Sequence, residues 1–246
     1  DQTVRIVESV SLKHGQNVHK QGSDRLKNEV LLKAGCRLGT AEIAVAATIG
    51  AAVLPVRQRP AVAIVSTGDE LVKVGATPLP HQIRTSNSHA IAALLQQQWG
   101  LPCRLFHFSD DPVELQTGLA ALLEGYDILI LSGAVSEGKF DHVPTVLQTL
   151  GVHRQFHKVA QRPGKPFWFG TYGAQKTVFA LPGNPVSALL CCCRYILPFL
   201  QKSMGTTRPR WPEMLRLGET VSFQPALTCF IPCFIKDDPR GYPLAF

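Results

Sequence analysis

The fold is decided by the stretch Asp127-Ile-Leu-Ile-Leu-Ser-Gly-Ala-Val-Ser-Glu-Gly-Lys-Phe-Asp141. Its apolar run, Ile128 to Leu131, is too short for a helix and is typical of a strand that is buried on both faces. The serines and glycines at 132–138 then bring backbone N–H groups within reach of an anion. Asp141 is positioned to cap the helix that follows. Open α/β sheets build anion sites from this succession, although an ordinary βα turn would fit the stretch as well.

The regions on either side of this stretch suggest three domains in the 246-residue chain. Residues 59–204 alternate strand and helix patterns, which is typical of a doubly wound sheet. Residues 1–58 are polar and rich in turns with short strand-like runs, and residues 205–246 are rich in proline without helical periodicity. We therefore expect an α/β protein with a three-layer α/β/α domain in the centre, a mixed β-rich domain before it and a small β domain after it.

Composition narrows the classes of partner. Hydrophobic residues make up 45% and charged residues 17%, which indicates a globular chain. The net charge of +7 favours anionic partners. The basic residues are scattered and form no nucleic-acid motif, so we expect no nucleic-acid partner. No apolar run approaches the ~20 residues of a membrane span, and the first residues lack the apolar core of a signal peptide, so we expect a cytoplasmic protein without a membrane partner.

Seven cysteines are present, and no two of them form a C-x-x-C pair. Cys191, Cys192 and Cys193 are adjacent within an apolar helical pattern. Because neighbouring side chains on a helix point in different directions, the three thiols cannot face one site together. We interpret them as reduced thiols in or near the core of a cytosolic protein, with metal binding as the alternative.

Acidic residues follow three predicted strands. Ser66-Thr-Gly-Asp-Glu70 and Ser109-Asp-Asp111 follow two of these strands, and the opening loop ends in Asp141. Because parallel strands end at the same rim of a sheet, these acids are expected to converge there. Carboxylates that converge in a basic protein suggest a divalent cation held beside phosphates. The alternative is that Asp69, Asp111 and Asp141 are helix caps or turn residues.

Two further loops combine glycines and prolines, of which the prolines restrict the backbone, with charged or polar residues that could bind a ligand. Lys158, Arg162 and Lys165 lie within eight residues of one another around Pro163 and Gly164, an arrangement suited to an oxyanion or phosphate. A charged hairpin turn is the alternative. Leu181-Pro-Gly-Asn-Pro185 places a helix cap at another strand end, where it would form a pocket wall.

The ordered set of motifs resembles the MoeA/gephyrin family, the molybdopterin molybdenumtransferases. The motifs are Ser66-Thr-Gly-Asp-Glu-Leu71, Thr85-Ser-Asn87, Asp110-Asp-Pro112, Ser132-Gly-Ala-Val-Ser-Glu-Gly-Lys-Phe-Asp141, Lys158-Val-Ala-Gln-Arg-Pro-Gly-Lys-Pro166 and Leu181-Pro-Gly-Asn-Pro-Val-Ser187. Gly15-Gln-Asn-Val18 and Leu31-Leu-Lys-Ala-Gly35 are similar to the family's second domain. About six separate motifs in one order make chance matching a poor explanation.

The resemblance implies that the chain takes adenylylated molybdopterin and molybdate, inserts molybdenum into the pterin dithiolene and releases AMP, with Mg²⁺ as cofactor. It implies that the central domain has the molybdopterin-binding α/β fold and that the protein is a homodimer, with a molybdopterin adenylyltransferase as a candidate protein partner. The flanking domains are expected to be partial, because the sequence resembles the family from inside its second domain to inside its fourth.

The resemblance also implies roles for individual residues. Asp141, Lys158, Arg162 and Lys165 would be catalytic, the three basic residues holding molybdate or pyrophosphate. Mg²⁺ would be held by Glu70, Asp110 and Asp141. Substrate would be bound by Asp24 of the second domain and by Ser66, Thr67, Gly68, Asp69, Ser132, Gly133, Ser136, Gly138, Pro182, Gly183, Asn184 and Pro185.

The chain departs from the family in the opening loop. Ala134 replaces the second of two adjacent glycines, and Glu137 adds a negative charge beside the expected anion site. These departures leave a binding or scaffold module with weakened catalysis as the main alternative. A molybdopterin adenylyltransferase is a further alternative, but the chain lacks the Gly-Gly-Thr-Gly-like loop of those proteins. Nucleic-acid binding has only the net charge in its favour and would weaken steeply with salt.

Overall fold

A computed structural model of the chain describes residues 3, 11, 13–133, 135, 142–206, 214–223 and 226–245. The chain divides into two compact units, Asp1–Leu54 and Pro55–Phe246. In the described part of the chain, no helix is long and apolar enough to cross a membrane. The predicted division at residues 58 and 204 into three domains stays a prediction.

The helices occupy both units. One further turn, Cys192–Ile196, is π-helical and joins the last two helices into one continuous segment. The helices are α1 (Thr40–Thr48), α2 (Asn87–Trp99), α3 (Pro112–Gly125), α4 (Val143–Thr149), α5 (Pro185–Cys191) and α6 (Leu197–Ser203).

The described strands all lie in the second unit. They are β1 (Val62–Thr67), β2 (Leu71–Val72), β3 (Ile83–Arg84), β4 (Cys103–Phe108), β5 (Ile128–Ser132), β6 (His153–His157), β7 (Gln161–Arg162), β8 (Trp168–Tyr172), β9 (Lys176–Leu181), β10 (Arg216–Leu217), β11 (Thr228–Cys229), β12 (Ile235–Asp237) and β13 (Pro243–Ala245).

A six-stranded sheet in the order β4-β1-β5-β9-β8-β6 forms the centre of the second unit. The strands β4, β1, β5 and β9 are parallel, with Ile64 beside Leu105 and Ile130, and Ile130 beside Phe179. Strand β8 runs antiparallel to both β9 and β6. Strand β6 therefore runs in the same direction as the four parallel strands, and five carboxyl ends meet at one rim of the sheet.

The core is built on both faces of this sheet. Alternate residues of β1 point to opposite sides, so Ala63 and Val65 pack against α3 and α4 while Val62 and Ile64 pack against α2 and the α5–α6 segment. Strand β5 is divided in the same way, and all five of its residues are buried. The expected three-layer α/β/α arrangement is confirmed, and the opening apolar run is the doubly buried strand that its composition predicts.

Most predicted helix ends are confirmed. Asp111 accepts hydrogen bonds from the backbone N–H groups of Val113 (3.0 Å) and Glu114 (2.9 Å) and so caps α3. The spacing of Asp111 and Glu114 also predicts a capping box, in which Glu114 would accept from the backbone N–H of Asp111. That N–H instead donates to Ser109 Oγ at 3.4 Å, and the Glu114 carboxylate accepts from the Ser109 hydroxyl. Gly100 ends α2 in the left-handed conformation (φ 61°) that glycine adopts without strain.

The apolar periodicity of the last helical segment predicts one buried face, made of Val186, Leu189, Leu190, Cys193, Leu197 and Leu200. The prediction is right after the π-helical turn, where Leu197 and Leu200 are buried, and wrong before it. Val186 and Leu189 were expected to be buried, but they are 53% and 41% exposed, while Ala188, Cys191 and Cys192 are buried. The π-helical turn adds one residue to the repeat, so the face that packs on the sheet before the turn differs in register from the face after it. The buried positions of Cys191 and Cys192 confirm the interpretation of these cysteines as core thiols.

The first unit differs from the expected β-rich domain. Its described residues contain the helix α1 and no strand, and their hydrogen bonds are those of local turns. Short strands were expected at 29–32 and 53–56, but neither forms, and their apolar residues Val30 and Val53 are 71% and 85% exposed. Helix α1 begins after Gly39, whose backbone N–H donates to the Glu42 carboxylate at 2.9 Å.

The C-terminal residues pair partly with the central region. Strand β11 pairs in parallel with β7 at Thr228 and Gln161, and β10, β13 and β12 form a separate three-stranded sheet. The short strands agree with the small β character expected of this region.

Candidate functional site

The carboxyl rim of the central sheet gathers the loops that the sequence singled out. Strands β1, β5 and β9 are adjacent in the sheet, and they are followed by what we call the glycine loops, residues 66–70, 132–133 and 181–185. Strand β4 is followed by 109–111. Strand β6 is followed by residues 158–167, which we call the basic loop. The parallel arrangement of these five strands brings the expected site residues of the second unit to one rim, except those outside the described residues.

Close backbone contacts hold the glycine loops together. Gly133 has φ 96°, and a Cβ at this position would lie 2.9 Å from the carbonyl oxygen of Thr67. The backbone N–H of Gly133 donates to the carbonyl of Leu181 at 3.3 Å. Only glycine satisfies both the positive φ and the close approach, so Gly133 is required by the packing of three strand ends.

Asn87, at the start of α2, ties two of these loops by its side chain. Its Nδ2 donates to Ser132 Oγ at 2.9 Å and to the carbonyl of Gly183 at 2.8 Å. Ser132 is only 3% exposed, so Asn87 supplies a hydrogen bond that water cannot readily replace. Asn87 belongs to the motif Thr85-Ser-Asn87, but no local pattern assigns it a role in the site.

The remaining glycine-loop residues divide into buried and exposed groups. Ser66 and Thr67 are buried at 3% and 4% exposure, and Gly68 and Pro182 are buried as well. Asp69, Gly183, Asn184 and Pro185 are exposed. Asn184 caps α5 by accepting from the backbone N–H of Ser187 at 3.1 Å, as predicted.

A pocket of about 210 Å³ lies between the N-terminal ends of α2 and α5. Asn87 and Pro185 line it together with apolar side chains that include Ile91 and Leu189. Pro185 therefore forms a pocket wall at the strand end, as its position in the sequence predicts.

Acidic residues from two neighbouring loops meet at the rim. The backbone N–H of Asp110 donates to Asp69 Oδ1 at 3.2 Å, which joins the loop after β4 to the loop after β1. The Glu70 carboxylate folds back over Gly68, and its Oε2 lies against the place where a Cβ on Gly68 would be. These carboxylates have the oxygen-donor chemistry that suits Mg²⁺. Across the described residues, no group of three or more acidic, histidine or cysteine side chains could hold a metal ion.

The basic loop is held by its own backbone. The N–H of Lys158 donates to the carbonyl of Phe167 at 2.9 Å, and the N–H of Val159 donates to the carbonyl of Lys165 at 2.8 Å. Lys158 has φ 70°, a conformation that non-glycine residues rarely adopt and that surrounding structure must stabilise. Lys158, Arg162 and Lys165 are all exposed. The loop therefore presents three positive charges to solvent at the rim.

This loop is supported by two residues for which no role was predicted, Gln161 and Tyr195. Gln161 is 1% exposed, and its Nε2 donates to the carbonyl of Pro163 at 3.0 Å. Its Oε1 accepts a hydrogen bond from the Tyr195 hydroxyl. No local pattern marks Gln161 as buried, because it is polar, precedes Arg162 and lies in a loop that also carries Lys158 and Lys165. Tyr195 faces the loop from the π-helical turn, which helical periodicity does not predict.

Several expected site residues cannot be related to this rim. Ser136, Gly138 and Asp141 lie outside the described residues, as do Ala134 and Glu137. The residue that precedes α4 is His142, so the predicted capping by Asp141 stays a prediction. Asp24 belongs to the first unit, where it is exposed and lies 3.2 Å from His19 Nε2.

Comparison with known proteins gives the same family as the motifs. Residues 63–202 match the family described as "Probable molybdopterin binding domain". A Synechocystis protein named molybdopterin molybdenumtransferase is 36% identical over 243 residues, which are 98% of this chain and 59% of that protein. A protein of the same name from Staphylococcus epidermidis is 33% identical over 208 residues, which are 84% of this chain and 49% of that protein. The chain thus spans about half the length of the curated relatives that it matches.

Solved structures agree. A crystal structure of the molybdopterin biosynthesis MoeA protein from Pyrococcus horikosii has a TM-score of 0.65 and 29% identity, covering 74% of this chain and 45% of that one. A second MoeA structure, from Pyrococcus horikoshii, has a TM-score of 0.71 and 24% identity, covering 91% of this chain and 53% of that one, and supports the fold alone. The expected resemblance to MoeA proteins is confirmed. Because the match to the family covers more than half of the chain and includes every loop of the rim from Gly68 to Pro185, the chain belongs to the molybdopterin-binding domain family.

Proposed function

We propose that this chain carries the central part of a molybdopterin molybdenumtransferase, which inserts molybdate into adenylylated molybdopterin and releases AMP. The observation that carries this proposal is the convergence of the glycine loops, the acidic residues and the basic loop at one rim of five co-directional strands. The names of the relatives support the reaction type.

The basic loop is suited to the anionic groups of this reaction. Lys158, Arg162 and Lys165 are exposed and belong to a loop whose backbone is fixed by internal hydrogen bonds. In the proposed reaction they hold molybdate or the pyrophosphate of the substrate through charge-assisted hydrogen bonds. Because the loop is already ordered, less conformational entropy is lost when the anion binds.

The glycine loops are suited to the terminal phosphate. Gly133 brings bare backbone to the rim, and we propose that Ser132, Gly133, Ser136 and Gly138 form the phosphate-binding loop. The N–H of Gly133 donates to the Leu181 carbonyl, so in this proposal the backbone N–H groups that bind phosphate are those of Ser136 and Gly138. Ser66, Thr67, Gly68 and Asp69, followed by Pro182, Gly183, Asn184 and Pro185, would form the neighbouring walls of the substrate site.

We propose Glu70, Asp110 and Asp141 as the residues that hold Mg²⁺. The first two are carboxylates on adjacent loops of the rim, which suits an oxygen-liganded cation. Bound Mg²⁺ would offset negative charge as the pyrophosphate breaks. The proposal extends to a homodimer in which Asp24 contributes to the site, to a molybdopterin adenylyltransferase as partner and to a cytoplasmic location.

AMP release from adenylylated molybdopterin tests the function directly. The purified chain is incubated with the substrate, with and without molybdate and Mg²⁺, and AMP is quantified. Release that depends on molybdate is the expected result. Binding of the substrate without release of AMP would contradict the transferase and support the scaffold alternative. A control variant that should release AMP as the wild-type chain does is Lys176→Met. Lys176 lies at the start of β9, at the end of the sheet opposite the rim, where its side chain contacts the carbonyls of Leu123 and Glu124.

A further inference from the structure

A buried side-chain amide lies beneath the basic loop. Gln161 is 1% exposed, so its amide must form hydrogen bonds within the protein or carry a large desolvation cost. Its Nε2 donates to the carbonyl of Pro163 at 3.0 Å and lies 3.6 Å from Cys191 Sγ. Its Oε1 accepts from the Tyr195 hydroxyl. The middle of the loop is thereby tied to the α5–α6 segment rather than only to itself.

The loop also packs closely against this segment. A Cβ on Gly164 would lie 2.7 Å from both Cys191 Sγ and Gln161 Nε2, which is closer than real Cβ atoms come. Gly164 has φ 91° and is buried between the exposed Arg162 and Lys165. The backbone between these two cations is therefore pressed onto the helix.

Tyr195 contacts both ends of the loop. Its ring stacks on Phe167, with ring centroids 4.6 Å apart and an interplanar angle of 13°. Phe167 is 1% exposed, and its carbonyl accepts the hydrogen bond from the Lys158 N–H at 2.9 Å. Through Gln161 the same tyrosine reaches Pro163. Burial raises the pKa of the Tyr195 hydroxyl, which keeps it protonated and able to donate.

We propose that Gln161 and Tyr195 are positioning residues, which hold the backbone of the basic loop so that Lys158, Arg162 and Lys165 converge on one anion. This rests on the proposed function, because it concerns the affinity of the same basic group for molybdate or pyrophosphate. The three cationic side chains are exposed, so the backbone that carries them decides where each one starts. That backbone is fixed from below by one amide and one aromatic ring.

The test uses Gln161→Met, Tyr195→Phe and the double variant. Tyr195→Phe removes the hydrogen bond to Gln161, and Gln161→Met removes that bond together with the one to the Pro163 carbonyl. Both changes keep the approximate shape of the side chain and leave a polar partner without its bond. The double variant removes both members of the Tyr195–Gln161 pair, which restores much of the stability but leaves the carbonyl of Pro163 without its donor. A positioning role and a merely structural role therefore predict different results for the double variant.

Anion binding is measured by titration calorimetry with molybdate and, separately, with inorganic pyrophosphate. We expect both single variants and the double variant to bind about tenfold more weakly than the wild-type chain. Hydrogen exchange at the amides of Val159 and Phe167, which are bonded within the loop, should accelerate in the same variants. The control is Tyr172→Phe, which removes a tyrosine hydroxyl bonded to Glu124 at 3.3 Å at the opposite end of β8 and should leave the affinity unchanged.

Three results would overturn the inference. Unchanged affinity in the variants, with binding by the wild-type chain, would refute the positioning role and leave the proposed function standing. A double variant that regains both stability and affinity would show that the two residues act only on folding. Failure of the wild-type chain to bind either anion would refute the proposed role of the basic group and this inference with it.

Discussion

The glycine loops and the basic loop share one rim but are fixed by different means. The glycine loops are held by strand ends, by the close approach of Gly133 to Thr67 and by the amide of Asn87 at their edge. The basic loop leaves β6 at the edge of the sheet and depends on Gln161 and Tyr195 beneath it. In the glycine loops, backbone atoms pack directly against one another. In the basic loop, a buried side chain supports the backbone from which the three charged side chains extend. The difference predicts which substitutions damage the fold and which damage only the site.

The largest effect on stability is expected from Gly133→Ala. The added Cβ would lie 2.9 Å from the Thr67 carbonyl, at φ 96°. We expect a loss of about 3 kcal/mol in the free energy of unfolding, from strain and crowding together. The control is Gly173→Ala, which also has a positive φ (57°) but meets no atom within 4 Å. It should cost only about 1 kcal/mol. Equal losses in urea unfolding would mean that the close contact with Thr67 does not fix the loop.

Asn87→Ala should have the second largest effect, a loss of about 2 kcal/mol in the free energy of unfolding. The change removes two hydrogen bonds and leaves the buried Ser132 hydroxyl without its donor. The matched control is Gln155→Ala, which removes a single hydrogen bond of 3.0 Å to Thr171 from an exposed amide and should cost less than about 0.5 kcal/mol. A loss no larger than that of the control would show that Asn87 does not hold the two glycine loops together.

Two adjacent aspartates after β4 are expected to have different roles. Asp110 is a proposed Mg²⁺ ligand, and Asp111 caps a helix. Asp110→Asn neutralises a proposed Mg²⁺ ligand and should lower AMP release at least about tenfold with little change in stability. Asp111→Ala removes the cap of α3 and should cost about 1 kcal/mol of stability while AMP release is kept. Both are measured by AMP release and by urea unfolding. The assignment of roles would fail if the two variants lost activity and stability in the same proportion.

The smallest effect concerns the thiol beneath the basic loop. Burial raises the pKa of Cys191 from 9.0 to about 11, partly offset by its hydrogen bond with Gln161. The folded thiol therefore keeps its proton above pH 9 while the unfolded thiol loses it. Its contribution to stability is complete below pH 9 and is lost as the pH rises toward 11.

This contribution is measured as the fall in unfolding free energy between pH 8.5 and 10.5. We expect a smaller fall for Cys191→Ala than for the wild-type chain, because one titrating thiol is absent from the unfolded state. A Cys191→Ala chain with the wild-type pH dependence would show that this thiol ionises equally in both states.

Sequence predicts those parts of the rim that depend on local signals. Residue type alone indicates the local structure at several positions. These are the apolar run of β5, the caps Asp111 and Asn184, and the glycine at 133. A doubly buried strand must be apolar, a helix needs an acceptor at its first turn, and a positive φ requires glycine. These are constraints that a residue and its near neighbours express without knowledge of the fold.

The remainder depends on contacts between distant segments. Gln161 is buried because Tyr195, 34 residues further along the chain, approaches from a π-helical turn. The segment around it carries Lys158, Arg162 and Lys165, so a sequence pattern predicts an exposed loop. The exposed Val186 and Leu189 follow from the same turn, because the helical repeat on which their burial was predicted changes after Cys191. The β-rich first unit was expected from short apolar runs that find no pairing partner among its described residues.

The direction of strand β8 places the loops before and after it at opposite ends of the central sheet. Because it runs against its neighbours, the loop before it returns to the rim of the site, while the exposed turn at residues 173–175 lies at the other end of the sheet. Exposed turns of this kind accept inserted segments with little loss of stability. A fluorescent reporter or an affinity peptide built into this turn would thus be carried at the end of the sheet opposite the rim, so that the proposed anion binding can be followed in a labelled chain whose rim is unaltered.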